Sequence, residues 1–427
     1  MSNGTVAAHT KPVAALPKGR LRVWVVAFCF SAYVIAFLDR VNVSVLIADP
    51  LFIRSMGIAA DKSRQGLLMS AFLFTYGVSC FVVGPVIQRF GAKKSLAVGL
   101  LSWAVLTGAM GAASSLAIVL LCRALLGLGE AVLGPAVSKL VQTWFPFHER
   151  AKANGAWYVG TMIAYVIATP LFAWWIATVG WRWSYYMLAL LGVLPVLQCL
   201  YWVYDHPSKH PRITQEEADY ITAHGNLAAS SPKAAKLDLG FLKNPTFWYL
   251  ASIYGLANAG SWGFLAWIPS YLKLTLGFSW AAMGSLAMLP YVGGAIAVMG
   301  FTPLMDRYNR RALFTFLGSV VFALLLGAAM RIGSPLTAVV VLSVAYAASG
   351  VRVPPLWTML QNVTTKEQVA TATGVFNGVA YVLASLTPYG IGVLYNMTGS
   401  LKTGFYFLAV LSIMACLLCI PLVRRRL

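Results

Sequence analysis

About twelve continuous apolar stretches, each close to the twenty or so residues a helix needs to cross a bilayer, leave this chain few folds to adopt. They run over residues 21–46, 64–86, 94–113, 116–140, 152–176, 181–204, 247–272, 281–303, 311–331, 335–359, 371–395 and 400–423, mostly with short connections. Inside hydrocarbon every backbone N–H and C=O must find its partner within the protein, so only helices and closed barrels can span. Barrel strands would read as roughly ten-residue alternating segments, whereas these runs are longer and unbroken. The expectation is an all-α polytopic membrane protein with twelve transmembrane helices.

One long polar interruption, 205–246, divides the runs six and six and suggests a duplicated unit. The expected domains are a tail at 1–20, a bundle at 21–204, the central loop at 205–246, a second bundle at 247–423 and a tail at 424–427. Basic turns recur at matching places, Gly84-Pro-Val-Ile-Gln-Arg-Phe-Gly-Ala-Lys-Lys in the first half and Asp306-Arg-Tyr-Asn-Arg-Arg in the second. Within the loop, Thr214 and Glu217 have the spacing of a capping box for a short helix.

The net charge of +20 would suit a nucleic-acid binder if the chain were soluble, but its distribution says otherwise. Lys and Arg gather in alternate connections, about threefold over the opposite side, which orients both termini to the cytoplasm and excludes nucleic acid as a partner. The lipid bilayer is the partner this pattern implies. No cleavable signal peptide is evident. The six cysteines all fall inside apolar runs and read as small buried hydrophobes; the Cys416/Cys419 pair has no histidine beside it to make a metal or redox site.

Charges inside the runs are the chemistry-bearing feature, because each costs a few kcal/mol near a bilayer centre. Asp39 and Glu130 are the two deep acids; Arg40, Arg123, Lys139 and Arg352 are the bases. Burial disfavours an ionised carboxylate and a nearby Arg favours it, so such an acid can change protonation with access. Arg123 and Glu130, seven residues apart, share a helix face, while the adjacent Asp39 and Arg40 point about 100° apart. The competing reading is a static ion-pair cluster, although buried pairs seldom outperform apolar packing. Lys139 is near enough to a span end to snorkel. Arg352 has no spare acid, so it either touches a polar end of a substrate or snorkels. Tyr33, Tyr76, Thr161, Tyr165, Asn258, Trp262, Trp357, Asn377 and Tyr381 supply further polar and aromatic groups near the expected midplane.

The basic turns resemble those of the major facilitator superfamily: Gly84, Arg89, Gly91, Lys93 and Lys94 fit its first-half motif, with Gln88 in place of the acid. In the second half Asp306 and Arg307 fit, with Asn309 in place of a glycine. The resemblance implies a gating clasp at these turns, weakened on the Gln88 side. Phe37-Leu-Asp-Arg-Val-Asn-Val-Ser, Arg123-Ala-Leu-Leu-Gly-Leu-Gly-Glu-Ala, Trp144-Phe-Pro-Phe-His-Glu-Arg, Gly180-Trp-Arg-Trp, Trp267-Ile-Pro-Ser-Tyr and Phe376-Asn-Gly resemble the anion:cation symporter family. That family includes bacterial proton-coupled sugar-acid carriers and the vesicular glutamate and sialic acid transporters. It implies two pseudo-symmetric six-helix bundles in a bacterial inner membrane, working as a monomer without cofactors. It also implies Asp39 and Glu130 as proton sites, Glu130 the principal one, and Arg40 and Arg123 as groups that meet a substrate carboxylate and acidic partners, with Arg40 as the carboxylate ligand and Asp39 as the partner of Arg123. Tyr76 and Asn377 match substrate-contacting positions. Phe37 stands where sugar-acid carriers have Tyr and Thr161 where an amide is common, which points to a less hydroxylated anion, an aromatic acid or a dicarboxylate.

The reading is a proton-coupled importer of a small organic anion, with a uniporter or exchanger as the alternative. An enzyme would need a nucleophile–base pair or a metal cluster, and an ATP-driven pump a phosphate-binding loop; the chain has neither pattern.

Overall fold

The computed structural model describes residues 21–224, 238–308, 310–365 and 368–424. The expected tail at 1–20, residues 425–427 of the expected tail at 424–427, residues 225–237 of the central loop, Asn309 and the side chain of Asp306 lie outside the described residues. The helices are α1 (Leu21–Leu46), α2 (Pro50–Ser55), α3 (Lys62–Cys80), α4 (Val83–Phe90), α5 (Ala92–Ala112), α6 (Leu116–Glu130), α7 (Leu133–Trp144), α8 (Phe147–Thr178) and α9 (Trp181–Trp202). After the loop helix α10 (Gln215–His224) come α11 (Pro245–Ser270), α12 (Trp280–Ala287), α13 (Leu289–Tyr308), α14 (Arg311–Ala329), α15 (Pro335–Arg352), α16 (Pro354–Val363), α17 (Val369–Thr398) and α18 (Leu401–Arg424). Among the described residues, ten helical stretches are long and apolar enough to cross a membrane, or up to eleven with the bent pair α3 and α4. The remaining long helix, α11, is mostly buried between its neighbours.

Four of the apolar runs are broken rather than straight, each just before a proline. Pro85, Pro135, Pro290 and Pro354 follow the breaks between α3 and α4, α6 and α7, α12 and α13, and α15 and α16. A proline gives no N–H to the residue four before it and its ring crowds that carbonyl, so the helix turns there. Between α3 and α4 the bend is 60°.

The chain ends define one face, here called the terminal face, and the α2 end defines the far face. On the terminal face α10 covers the start of α1. Thr214 caps α10, its hydroxyl accepting from Glu217 N at 3.3 Å. The Glu217 carboxylate does not close the expected box; it accepts from Leu21 N and Arg22 N, both at 3.1 Å, and so caps α1. Orphan amides at a helix start need such acceptors.

The first and second halves of the chain meet chiefly along α3 and α17, which pack almost backbone to backbone. A Cβ on Gly66 would lie on the Pro388 carbonyl, and one on Gly77 would be 2.8 Å from Val382 N. At the far face Asn396 ties the halves, accepting from Lys62 N at 3.0 Å and donating to Asp61 Oδ1 at 2.8 Å. Nearby, α12 sits on α8, where a Cβ on Gly284 would be 2.7 Å from Ala173 Cβ.

Candidate functional site

Two ion pairs join α1 to α6 in the middle of the first half. Arg40 Nε donates to Glu130 Oε1 at 2.7 Å, and Arg123 Nη1 donates to Asp39 Oδ2 at 2.9 Å. Neighbouring residues on α1 thus reach residues two helical turns apart on α6, as adjacent side chains on crossing helices can. All four are buried: Asp39 0% exposed, Arg40 3%, Arg123 0% and Glu130 6%. The second carboxylate oxygens, Asp39 Oδ1 and Glu130 Oε2, have no protein hydrogen-bond partner.

Arg123 is locked deeper. Its Nε donates to Leu68 O at 3.3 Å and its guanidinium lies 4.6 Å from the Phe72 ring centre. Arg40 instead occupies an aromatic cage, 4.5 Å from the Phe37 ring, 5.0 Å from Tyr76, 5.2 Å from Phe72 and 5.5 Å from Trp262. Ring faces attract a desolvated cation, so Arg40 has a resting place that does not depend wholly on Glu130.

Behind this cage lies a cavity of about 970 Å³, its open mouth included, between the two halves. Phe37, Trp262 and Tyr381 line it, so Arg40 sits one ring behind the wall. Toward the far face its lining includes the stacked rings of Tyr165 and Tyr291, 4.9 Å apart. Seven positions nearer the terminal face than Tyr165, Tyr291 and Tyr346 respectively, Tyr158, Val298 and Val353 also line it. The cavity therefore descends roughly 10 Å toward that face.

Of the other expected site residues, Thr161 and Asn258 line the cavity. Tyr76 packs between Arg40 and Tyr381, its ring 4.5 Å from the latter. Tyr33 is nearly covered, stacked 4.3 Å from Trp157. Asn377 lies off the cavity wall and accepts from the Tyr254 hydroxyl at 3.2 Å; Trp357 joins the same ring cluster. Arg123 is not on the wall either, because α1 and α3 enclose it.

Arg352 neither lines the cavity in this conformation nor reaches the surface. It is 0% exposed, and its donors go to Ser412 Oγ, Ala257 O and Ser261 Oγ, each at 3.0 Å. Glycines make the room: a Cβ on Gly318 would be 2.9 Å from Arg352 Cβ. Lys139 donates to Ile87 O at 3.4 Å, near the C-terminal end of α4.

At the first basic turn Gly91 has φ +83°, and a Cβ there would be 2.5 Å from Asp205 Oδ2. Asp205 accepts from Lys93 N at 3.0 Å, so an acid after α9 stands at the turn where Gln88 is neutral. Gly84 has open space beside it and Arg89 lies 5.5 Å from the Phe90 ring. Arg307 is exposed.

Sequence reasoning missed Ser261, Ser349, Tyr291 and Tyr346, all on the cavity wall. Serine and tyrosine are ordinary in membrane helices, and the signal that finds Ser261 is its place beside Trp262. Among the described residues no group of three or more His, Cys, Asp or Glu is placed to hold a metal. All six cysteines are buried and unpaired.

The profile described as Major Facilitator Superfamily matches residues 29–388 and again 303–426. A probable sulfoacetate transporter of Cupriavidus necator is 30% identical over 383 residues, covering 87% of each chain. A hexuronate transporter of Bacillus subtilis is 28% identical and covers 94% of each; a probable galactarate/D-glucarate transporter of the same organism is 27% identical. Among solved structures, an inward-facing, unoccupied bacterial homolog of the human lysosomal transporter Spinster superposes with a TM-score of 0.75 at 16% identity, covering 96% of this chain and 98% of that one. A D-xylose-proton symporter gives 0.75 at 13% identity over 94% and 98%. With a central cavity between two halves and a family profile that spans nearly all of it, the chain belongs to the Major Facilitator Superfamily, as a membrane transporter related to carriers of sugar acids and other organic anions and not an enzyme.

Proposed function

We propose that this transporter imports a small organic anion together with protons, its twelve spans forming two six-helix bundles that rock about the central cavity. The observation that carries this reading is the Arg40–Glu130 pair, buried one ring behind a cavity wall. Protonation of Glu130 from the far side removes the charge that holds Arg40. The guanidinium is then free to take a substrate carboxylate beside Tyr76 and Tyr381. Asp39 and Arg123 form the second proton-sensitive pair, with Arg123 acting through Asp39 from behind Phe72. Neutral, occupied sites permit closure. On the terminal side the protons leave, the acids reclaim their arginines and the anion departs. Two closed ion pairs above a cavity that descends to the terminal face correspond to the state after release.

The basic terminal face is cytoplasmic by the positive-inside rule, with both chain ends there, and the membrane is a bacterial inner membrane. The carrier works as a monomer. The clasp at Gly84, Arg89, Gly91 and Lys93, and its counterpart at Asp306 and Arg307, regulates closure on that face. Relatives are named as a hexuronate transporter and as probable transporters of sulfoacetate and of galactarate or D-glucarate, all acids, which fits a cationic site. In proteoliposomes Glu130→Gln should lose accumulation driven by a pH gradient and keep counterflow exchange. Loss of neither would sink the assignment, and wild-type uptake indifferent to the gradient would favour a uniporter.

A further inference from the structure

Arg352 is a buried cation without an acidic partner among the described residues. The ion pairs found there join Arg22, Arg40, Arg64 and Arg123 to carboxylates, and the further contact of His148 with Glu149 is at 4.0 Å; Arg352 is in none of them. Its guanidinium is held by two hydroxyls, one carbonyl and the face of Phe322 at 4.0 Å, while its Nε has no partner. Arginine stays charged even when buried, so the second half carries a positive charge that no carboxylate among the described residues pairs with.

That charge is directed at the cavity. Ser261 Oγ accepts from Arg352 Nη2 at 3.0 Å, and Ser261 lines the cavity with Ser349, whose hydroxyl is 3.5 Å away. A hydroxyl that accepts from a guanidinium becomes a stronger donor on its other side. At present Ser261 gives its proton to Ala257 O, a bond a hydroxyl can exchange by rotation. On the same wall the Tyr291 hydroxyl, of a residue 3% exposed, has no protein partner. Arg40 lies against the ring of Trp262, the next residue of α11. Two cations therefore flank consecutive positions of one helix, one from each half.

Arg352 stands in the second half at the place where Glu130 stands in the first. Glu130 is the last residue of α6 and Arg352 the last of α15, each just ahead of a break before a proline. A helix C-terminus favours a cation and disfavours an anion, so Arg352 is stable alone where Glu130 needs Arg40.

We propose that Ser261 and Ser349, backed by Arg352 and joined by Tyr291, form a second anion subsite, and that the substrate is a small dianion with one acidic group here and the other at Arg40. This rests on the transport reading above and names its substrate class. Arg352 is a positioning and charge-supplying residue that acts through Ser261.

The test compares malonate, succinate and glutarate with their half-amides, which keep shape and lose one charge, by titration calorimetry on the purified carrier. The wild type should prefer at least one dianion over its half-amide by roughly tenfold or more, as a charge-assisted hydrogen bond would give. Arg352→Gln and Ser261→Ala should bring that ratio to about one, with Arg352→Lys retaining part of it. If Arg352→Gln does not fold, Ser261→Ala decides, since it removes one hydroxyl from a cavity wall. A ratio unaltered by Ser261→Ala, or near one in the wild type, overturns the proposal. Failure of the wild type to bind any of these acids also overturns the proposal, while the transport reading stands or falls separately on Glu130→Gln in proteoliposomes.

Discussion

At Asp39 and Arg123 the physics of a buried pair predicts an unusual mutational pattern. Asp39→Asn leaves Arg123 charged, 0% exposed and facing an amide, and stranding a buried charge costs about 3–5 kcal/mol. The double substitution Asp39→Asn with Arg123→Gln removes both charges and should recover most of the thermal stability lost by the single one. Unfolding followed in detergent checks this; a double variant less stable than Asp39→Asn would mean Arg123 is held mainly by Leu68 O and Phe72. Proton-driven uptake should stay absent in both, so stability and function separate. These residues were legible in the sequence because six charges in apolar runs have few explanations. Their partners followed only partly, since adjacency on α1 says that Asp39 and Arg40 diverge but not which reaches Glu130. Arg352 was visible for the same reason, yet its direction depended on Gly318 and Ser412, distant in sequence. Ser261 carried no signal by itself, because a lone serine in a membrane helix usually bonds the carbonyl four residues back, as this one also does.

Between elements, the close approach of α3 and α17 makes their glycines conformational determinants. Gly66→Ala would place a methyl on the Pro388 carbonyl, so the helices must part at that level. The expected outcome is a shift toward forms open at the far face. Spin labels at Ser55 and Thr398, both exposed and in opposite halves, should report a longer distance than in the parent; an unchanged distance would mean the helices slide rather than part. The nearby Asp61 contact with Asn396 should not respond to transport pH. The Ser63 hydroxyl, then Asn396 and backbone amides, hold the Asp61 carboxyl down to about 2. A depressed carboxylate contributes its stabilisation above its unfolded value near 3.9 and loses it only as pH falls through the folded value. Between pH 5 and 8 the label distance in the parent protein should therefore be independent of Asp61, and Asp61→Asn should leave its pH profile alone. The spans were legible from apolar length, whereas their breaks were not, because the apolar run continues through residues 81–82 and 131–132. The prolines after each break were in view, but a proline within a span allows a gentle bend as readily as the 60° turn between α3 and α4.

For the whole molecule, if the carrier takes up the proposed dianion with two protons, the charge carried through a cycle follows from counting the site in its two forms. Empty, with both pairs closed, Asp39 and Glu130 cancel Arg40 and Arg123, and Arg352 leaves the site at one positive charge. Loaded with two protons and a dianion, the acids are neutral, the three arginines are positive and the substrate removes two charges. The site again has one positive charge. A carrier that presents the same charge in both reorienting forms moves no net charge, so uptake should follow the pH gradient and ignore the electrical one. The difference is measurable because one elementary charge crossing 100 mV is worth about 2.3 kcal/mol. With a potassium gradient and valinomycin setting an inside-negative potential at equal pH, dianion uptake should be no faster than without the potential, while an inward proton gradient alone should drive accumulation. Acceleration by the potential would mean that a net positive charge enters with the substrate, as with a monoanion carrying the same two protons. A half-amide of the transported dianion, if carried at all, should show that acceleration, which ties the electrical behaviour of the cycle to the second subsite at Ser261.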